Sequence, residues 1–470
     1  GQFIYPSFVD IYSDYGIAMP QRAGGEGSFF GPQQLSTNTK GPFSWNQAIR
    51  SEVNGYDLFT TDARKAEALR EQGFGAVVSH QKDGIARGTG VAAVLSDRRE
   101  NLNILKDRTA AFYSFSKGTS TQSYPTSMMG SVALLRQTFI DADWYAKNKP
   151  AKEGVNKSLE AWNANKALPQ VFEAGDKWGD LRADRIGDEF GVQFIIKAGD
   201  NEYQRIKEIA ATKAAYILSL NYPETQNIED PMDARFVSVS DMAHWELAPG
   251  NAAAFEKAGI PFVITTSDLK DIKSFWPSLR KAIAYGLTPK AALNALTTVP
   301  ASLMKIDDKV GSIEAGRVAN FLITTGDLFS EKTSIVENWV NGERYDIKAK
   351  ASKEQAGQYK LSITGATGVT DYILDVKNNS QANLIGKDTL TTRFKSDGTL
   401  VSINFSLKPS GKPLTAEKKD STFSAAQAGF LYRLSGVDYG KNWQGVGSDN
   451  NGQPVTWIAT LTKETALKKD

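Results

Sequence analysis

Residues 286–306 read GLTPKAALNALTTVPASLMKI, residues 310–324 read VGSIEAGRVANFLIT, and residues 335–345 read IVENWVNGERY. In the first stretch, Thr288-Pro289 sets a capping side chain beside a proline at the first helical position, so a helix begins there. Upstream, strand and helix signals alternate. Residues 8–12, 75–79, 192–196, 216–220 and 262–265 are apolar runs of strand length. Asp62 caps a helix that runs through Arg70, with Ala63, Ala66 and Leu69 on one face and Gly73 as its stop. Residues 183–190, 202–214 and 252–258 continue the helix series. This alternation predicts a parallel sheet with helices outside. Periodicity alone fits an eight-fold βα-barrel and a doubly wound sheet nearly equally.

Composition sets wide bounds. A chain of 470 residues holds two or three domains. Its 41% hydrophobic and 23% charged residues are ordinary for a globular protein. A net charge of +2 implies no polyanion partner, and no basic stripe marks a nucleic-acid surface. No apolar run reaches the roughly 18 residues of a membrane span. The chain has no cysteine, which excludes disulfides, thiolate metal sites and a cysteine nucleophile. It opens on Gly1-Gln2-Phe3 without a signal peptide, as a mature or incomplete chain does.

Residues 24–45, 116–126 and 148–166 read as long loops, the last alternatively as a surface helix. Long loops at a barrel mouth imply a covered or partner-facing site, or simple filler. From about residue 355 the pattern alternates polar and apolar residues. Residues 390–395 and 399–407 flank Ser396-Asp397-Gly398, a hairpin signal. Residues 430–434 and 455–461 add strands, giving an all-β sandwich or small barrel.

The three stretches quoted first resemble the end of an amidohydrolase-superfamily enzyme, of imidazolonepropionase-like type. Residues 5–14 (YPSFVDIYSD) resemble the family's first barrel strand, which ends His-x-His. Residues 124–130, 134–139 and 244–249 (HWELAP) are similar to long tandem amidohydrolase-like proteins of Bacteroidota type, whose first domain is degenerate. The resemblance implies a TIM-like (β/α)8 barrel over residues 1–306. Remnant strands of the small amidohydrolase β-sandwich would follow over 307–350, and the all-β domain over 355–470. It also implies that segments before the first strand and after residue 470 are missing.

Family members hold zinc or another divalent metal with several histidines and an aspartate. Here the histidine positions of the first strand fall on Tyr12 and Asp14. The fifth strand ends in Lys197, and the sixth offers Ser219 or Asn221. The last strand offers Ser267 or, with a shifted register, Asp268 for the aspartate. The chain's two histidines, His80 and His244, lie elsewhere. The resemblance therefore implies no resident metal or other cofactor.

The expected function is a non-catalytic structural or regulatory half of a larger hydrolase acting on C–N bonds. Its partner would be a catalytic amidohydrolase domain of the same or another polypeptide, in the periplasm, the cell envelope or the extracellular space rather than the cytoplasm. An active hydrolase built on Asp268 and Lys197 is the alternative, since a buried lysine can act as base or nucleophile. A salt bridge from Lys197 to Asp14, Glu173 or Asp268 is the plainer expectation, and those carboxylates together can also bind a hard cation. A glycan- or peptide-binding module is the third reading. Tyr12, Asp14, Glu173, Ser219, Asn221, Ser267, His244 and Glu246 are the candidate binding residues. His80 reads as structural, residues 85–90 as a turn, and Trp443 and Trp457 as sugar-stacking or core aromatics.

Overall fold

Short runs of β-branched and aromatic residues without polar alternation form strands covered on both faces. In the computed structural model these runs lie in an N-terminal unit, Gly1–Ile347, and a second unit spans Lys348–Asp470. The structure describes residues 2–20, 33–148, 154–226, 228–230, 232, 235–347, 356–366, 368–386, 389–396, 400–407, 430–439, 442–449 and 451–464.

The N-terminal strands begin with β1 (Phe3–Pro6), β2 (Phe8–Ser13), β3 (Phe74–Ser79), β4 (Ala86–Thr89), β5 (Val91–Val94) and β6 (Ile104–Lys106). There follow β7 (Ala111–Ser114), β8 (Gln170–Glu173), β9 (Phe194–Lys197), β10 (Ala215–Ser219) and β11 (Phe262–Thr265). Strands β7 to β11 pair in parallel in chain order, and β2 pairs in parallel with β3. Helices between them pack outside, and Phe8, Phe74, Phe112, Phe172 and Phe194 fill the interior. Each such ring contributes roughly 2–3 kcal/mol by its burial.

The expected eight-fold parallel barrel does not appear as one closed ladder among the described residues. The strands divide into a six-stranded sheet, β11-β10-β9-β8-β7-β4, and a four-stranded sheet, β2-β3-β5-β6. Residues 85–90, expected as a turn, are the reason. They enter β4, which runs antiparallel to β7, and beyond Gly90 the chain continues as β5, antiparallel to β3. Gly88 permits this with φ 78°, in a crowded spot where a Cβ would lie 1.9 Å from the Val53 carbonyl oxygen.

Local signals explain the helix ends. The Asp62 side chain accepts from the Lys65 amide, and that of Thr288 from the Ala291 amide. Gly191 and Gly259 close their helices at φ 68° and 69°. The helix expected over 183–190 starts earlier, at Lys177, because Asp176 caps it through the Gly179 amide. The helix expected over 202–214 is a tight turn, Glu202–Arg205, followed by Ile206–Ala211. Residues 148–166 contain the helix Lys157–Asn165, while 116–126 form a loop. Strands β12 (Phe321–Thr324), β13 (Ile335–Val340) and β14 (Glu343–Asp346) join β1 in a separate sheet ordered β1-β12-β13-β14.

The second unit is a closed eight-stranded antiparallel barrel, β15 (Gly357–Gly365) through β22 (Pro454–Glu464). Burial alternates along β15, as a strand with one covered face requires. Of the expected hairpin, the strands Thr389–Ser396 and Leu400–Leu407 pair antiparallel, and Asp397-Gly398 lies outside the described residues. Trp443 and Trp457 are buried, the first stacked on Tyr359 at 3.9 Å. They are core aromatics, unable to stack on a sugar.

Candidate functional site: strand ends closed by ion pairs

Parallel strands bring their C-terminal ends to one side, and most of the expected site residues collect there. Tyr12 lies on β2, Glu173 ends β8, Lys197 ends β9, Ser219 ends β10, and Ser267 and Asp268 follow β11. Lys197, only 3% exposed, donates from Nζ to Asp268 Oδ2 at 2.7 Å and to the Ala198 carbonyl at 2.9 Å. The plainer expectation for this lysine therefore holds, with Asp268 as its partner. Ser267 shares the spot: its Oγ donates to Asp268 Oδ1 at 3.2 Å and accepts from Lys82 Nζ at 2.8 Å. Ser219 Oγ donates to the Ser267 carbonyl at 2.7 Å and accepts from the Asn221 amide at 3.3 Å. Asp268 sits at φ 70°, a left-handed conformation that costs a non-glycine residue about 1–3 kcal/mol.

A second cation completes the arrangement. The buried Arg87, on β4, donates from Nη1 to Tyr12 Oη at 2.9 Å and pairs through Nη2 with Glu173 at 2.5 Å. Its Nε donates to the Gly84 carbonyl at 3.1 Å. Lys82 Nζ lies 4.8 Å from the centre of the Tyr12 ring. Asp10, fully buried, ties β2 to the end of β11. It accepts from the Thr265 hydroxyl at 2.7 Å, and from the Thr266 amide and hydroxyl at 2.8 and 2.6 Å.

Electrostatics follow from these contacts. Burial opposes ionisation of Glu173, yet Arg87, helped by Lys197, holds its carboxyl below the usual range. Burial likewise opposes ionisation of Asp268, and Lys197, with Lys82 and Ser267, outweighs it in the same way. The Tyr12 phenol is pushed well up, chiefly by burial. His80 is pushed well down by burial, then by Arg87 and Lys82, so it is neutral. Its ring stacks on Phe112 at 3.7 Å with a 6° tilt, a packing role.

The donor set does not fit a divalent metal. Glu173 and Asp268 each already carry a cationic partner, and the Tyr12 phenol stays protonated. No group of three or more metal-binding side chains occurs among the described residues. The hard-cation site expected from Asp14, Glu173 and Asp268 is thus not assembled. Asp14 is exposed and shares a cavity of about 320 Å³ with Tyr12, Lys82, Ser267 and Asp268.

His244 and Glu246 belong to a different cluster. His244 bonds Tyr203 Oη through Nδ1 at 3.1 Å and approaches Asp200 at 3.4 Å. Glu246 is exposed and accepts from Tyr285 Oη at 3.4 Å. Sequence reasoning missed Arg87, Lys82 and Asp10. Arg87 falls within the segment expected as a turn, and Asp10 acts across 255 positions.

Residues 246–347 match the family model described as the amidohydrolase family. No curated protein matches the chain. A solved amidohydrolase from Thermotoga maritima MSB8 is similar at 20% identity and a TM-score of 0.55, covering 73% of this chain and 88% of its own. A Xaa-Pro dipeptidase with methionine in its active site is similar at 15% identity and a TM-score of 0.41, covering 73% of this chain and 87% of its own. At such identity the Thermotoga likeness is one of fold. Residues 246–347 are therefore similar in sequence to the amidohydrolase family, and the chain shares a mixed α/β fold with the Thermotoga protein.

Proposed function

We propose that the N-terminal unit is a non-catalytic amidohydrolase-like half of a larger hydrolase of C–N bonds. It would serve as a scaffold or regulator docked on a catalytic amidohydrolase domain of the same or a partner polypeptide. One observation carries this reading: the strand ends that hold a metal in active relatives here hold the ion pairs Lys197–Asp268 and Arg87–Glu173. A fixed cation in contact with Glu173 and with Asp268 repels a second cation and lowers the basicity of these two carboxylates. We read the seven parallel strands and the antiparallel 86–94 segment as a (β/α)8 barrel with one altered position. A tandem origin of Bacteroidota type, and a place in the periplasm or envelope, belong to the same proposal. The absence of cysteine suits that compartment.

Support for docking comes from the helix Val239–Leu247, which buries none of its residues. Phe236, Val239, Met242 and Leu247 are 84%, 78%, 49% and 51% exposed, an apolar face of the kind that partners cover. Turnover of dipeptides and N-acyl amino acids by the purified chain, with and without added zinc, tests the proposal. The expected result is no hydrolysis above buffer.

The second reading, an active hydrolase, is favoured by the direct contact of Lys197 with Asp268. It requires turnover by the parent chain, lost in Asp268→Asn and Lys197→Ala. Hydrolysis with that pattern overturns the non-catalytic reading.

A further inference from the structure

Residues 38–53 and 119–121 meet in a polar cavity of about 270 Å³ that the ion-paired strand ends do not use. Side chains fasten the loops together. The Gln122 Oε1 accepts from the Gln47 amide at 2.6 Å, and Gln47 Oε1 accepts from the Thr121 amide at 3.2 Å. Asp83, buried beneath, accepts from the Thr119 amide at 2.6 Å and hydroxyl at 2.9 Å, and it pairs with Arg50. Gly118 allows that approach, since a Cβ there would lie 2.0 Å from Asp83 Oδ1.

These bonds do not exhaust the lining. Glu52 lines the cavity, and its buried Oε2 has no hydrogen-bond partner among the described residues. An acceptor left in that state costs about 1–3 kcal/mol unless a ligand or water donates to it. Asn38, Thr39, Ser120 and Thr121 add amide and hydroxyl groups, and Phe43 adds an aromatic wall. On the same segment Trp45 is half exposed and stacks parallel on Tyr124 at 6.2 Å.

We infer that this cavity binds a neutral polyhydroxylated ligand, a sugar unit of an oligosaccharide. Sugar hydroxyls both donate and accept, which suits planar amide, carboxylate and guanidinium groups side by side. The C–H face of a sugar ring packs on an aromatic wall such as Phe43. An anion meets the Glu52 carboxylate while Arg50 is already held by Asp83. An apolar ligand leaves the polar lining unpartnered. The volume falls just under the roughly 300 Å³ at which drug-sized pockets begin, which fits one ring better than a folded peptide. This inference is independent of any catalytic partner.

Isothermal titration of the full chain with maltohexaose, cellohexaose, xylohexaose, mannohexaose and chitohexaose tests it, with neutral hexapeptides in parallel. The expected result is one-to-one binding of at least one oligosaccharide, with a Kd of about 1 mM or tighter. Glu52→Ala weakens that binding about tenfold or more. Thr39→Trp, at an exposed lining position, blocks it while leaving the melting temperature unchanged, and decides the matter if Glu52→Ala does not fold. Overturning results are no binding by any oligosaccharide, binding by the peptides alone, or binding that survives Thr39→Trp.

Discussion

At the scale of the residue, Lys197 and Asp268 form an unequal pair: the lysine side chain is 4% exposed and the aspartate 48%. Removing one partner therefore differs from removing the other. Asp268→Asn leaves an ammonium in the interior with only the Ala198 carbonyl and a weaker amide partner. We expect it to cost about 3 kcal/mol. Lys197→Met removes the buried charge and leaves a half-exposed carboxylate that water can solvate, for about 1 kcal/mol. Urea unfolding of both variants gives the order, and equal costs would show that burial is not what matters here. The salt bridge itself was legible in the sequence, because a lysine at a strand end among carboxylates rarely stays alone. Arg87 was not, since Gly88 and Gly90 beside it mimic a turn.

The buried acids titrate in two separate windows. Glu173 has its folded value lowered, so its pairing adds stability above the unfolded value near pH 4, lost as pH falls through the folded one. Asp180, fully buried on the helix Lys177–Phe190, has the opposite sign. Burial first, then Glu202 and Asp176, raise its folded value well above the ordinary one. That contribution is whole below about pH 4 and is lost as pH rises toward the folded value. We expect stability to fall as pH rises above about 4, and Asp180→Asn to flatten the fall. Urea midpoints across that range measure it, and an unchanged slope in the variant would count against a protonated Asp180.

At the scale of the element, glycines separate what is conformational from what is steric. Gly191 ends its helix with open space where a Cβ would stand, so Gly191→Ala should cost only the left-handed conformation, about 1 kcal/mol. Gly88→Ala drives a methyl into the Val53 carbonyl, and we expect at least about 3 kcal/mol or an insoluble protein. Thermal melts of the two variants compare them directly, and similar losses would contradict the strand assignment of 86–89. Helix ends were readable because caps act locally, as at Asp62 and Thr288. The antiparallel passage through β4 and β5 was not, because it depends on Val53 and Phe112, far along the chain.

At the scale of the whole molecule, the residue pattern pointed to an α/β unit and an all-β unit, and it left sandwich and barrel open for the second. Closure of that barrel is a property of eight strands together, which no single alternating run encodes. The lack of histidines at the positions expected to hold metal was legible in the sequence, but how those strand ends are filled required the fold. Ion pairs in place of a metal are the basis of the non-catalytic reading, and zinc content after dialysis against the metal probes them without any assumed substrate. We expect far less than one equivalent bound per chain. One equivalent of zinc, lost in Asp268→Asn, would contradict the ion-paired strand ends.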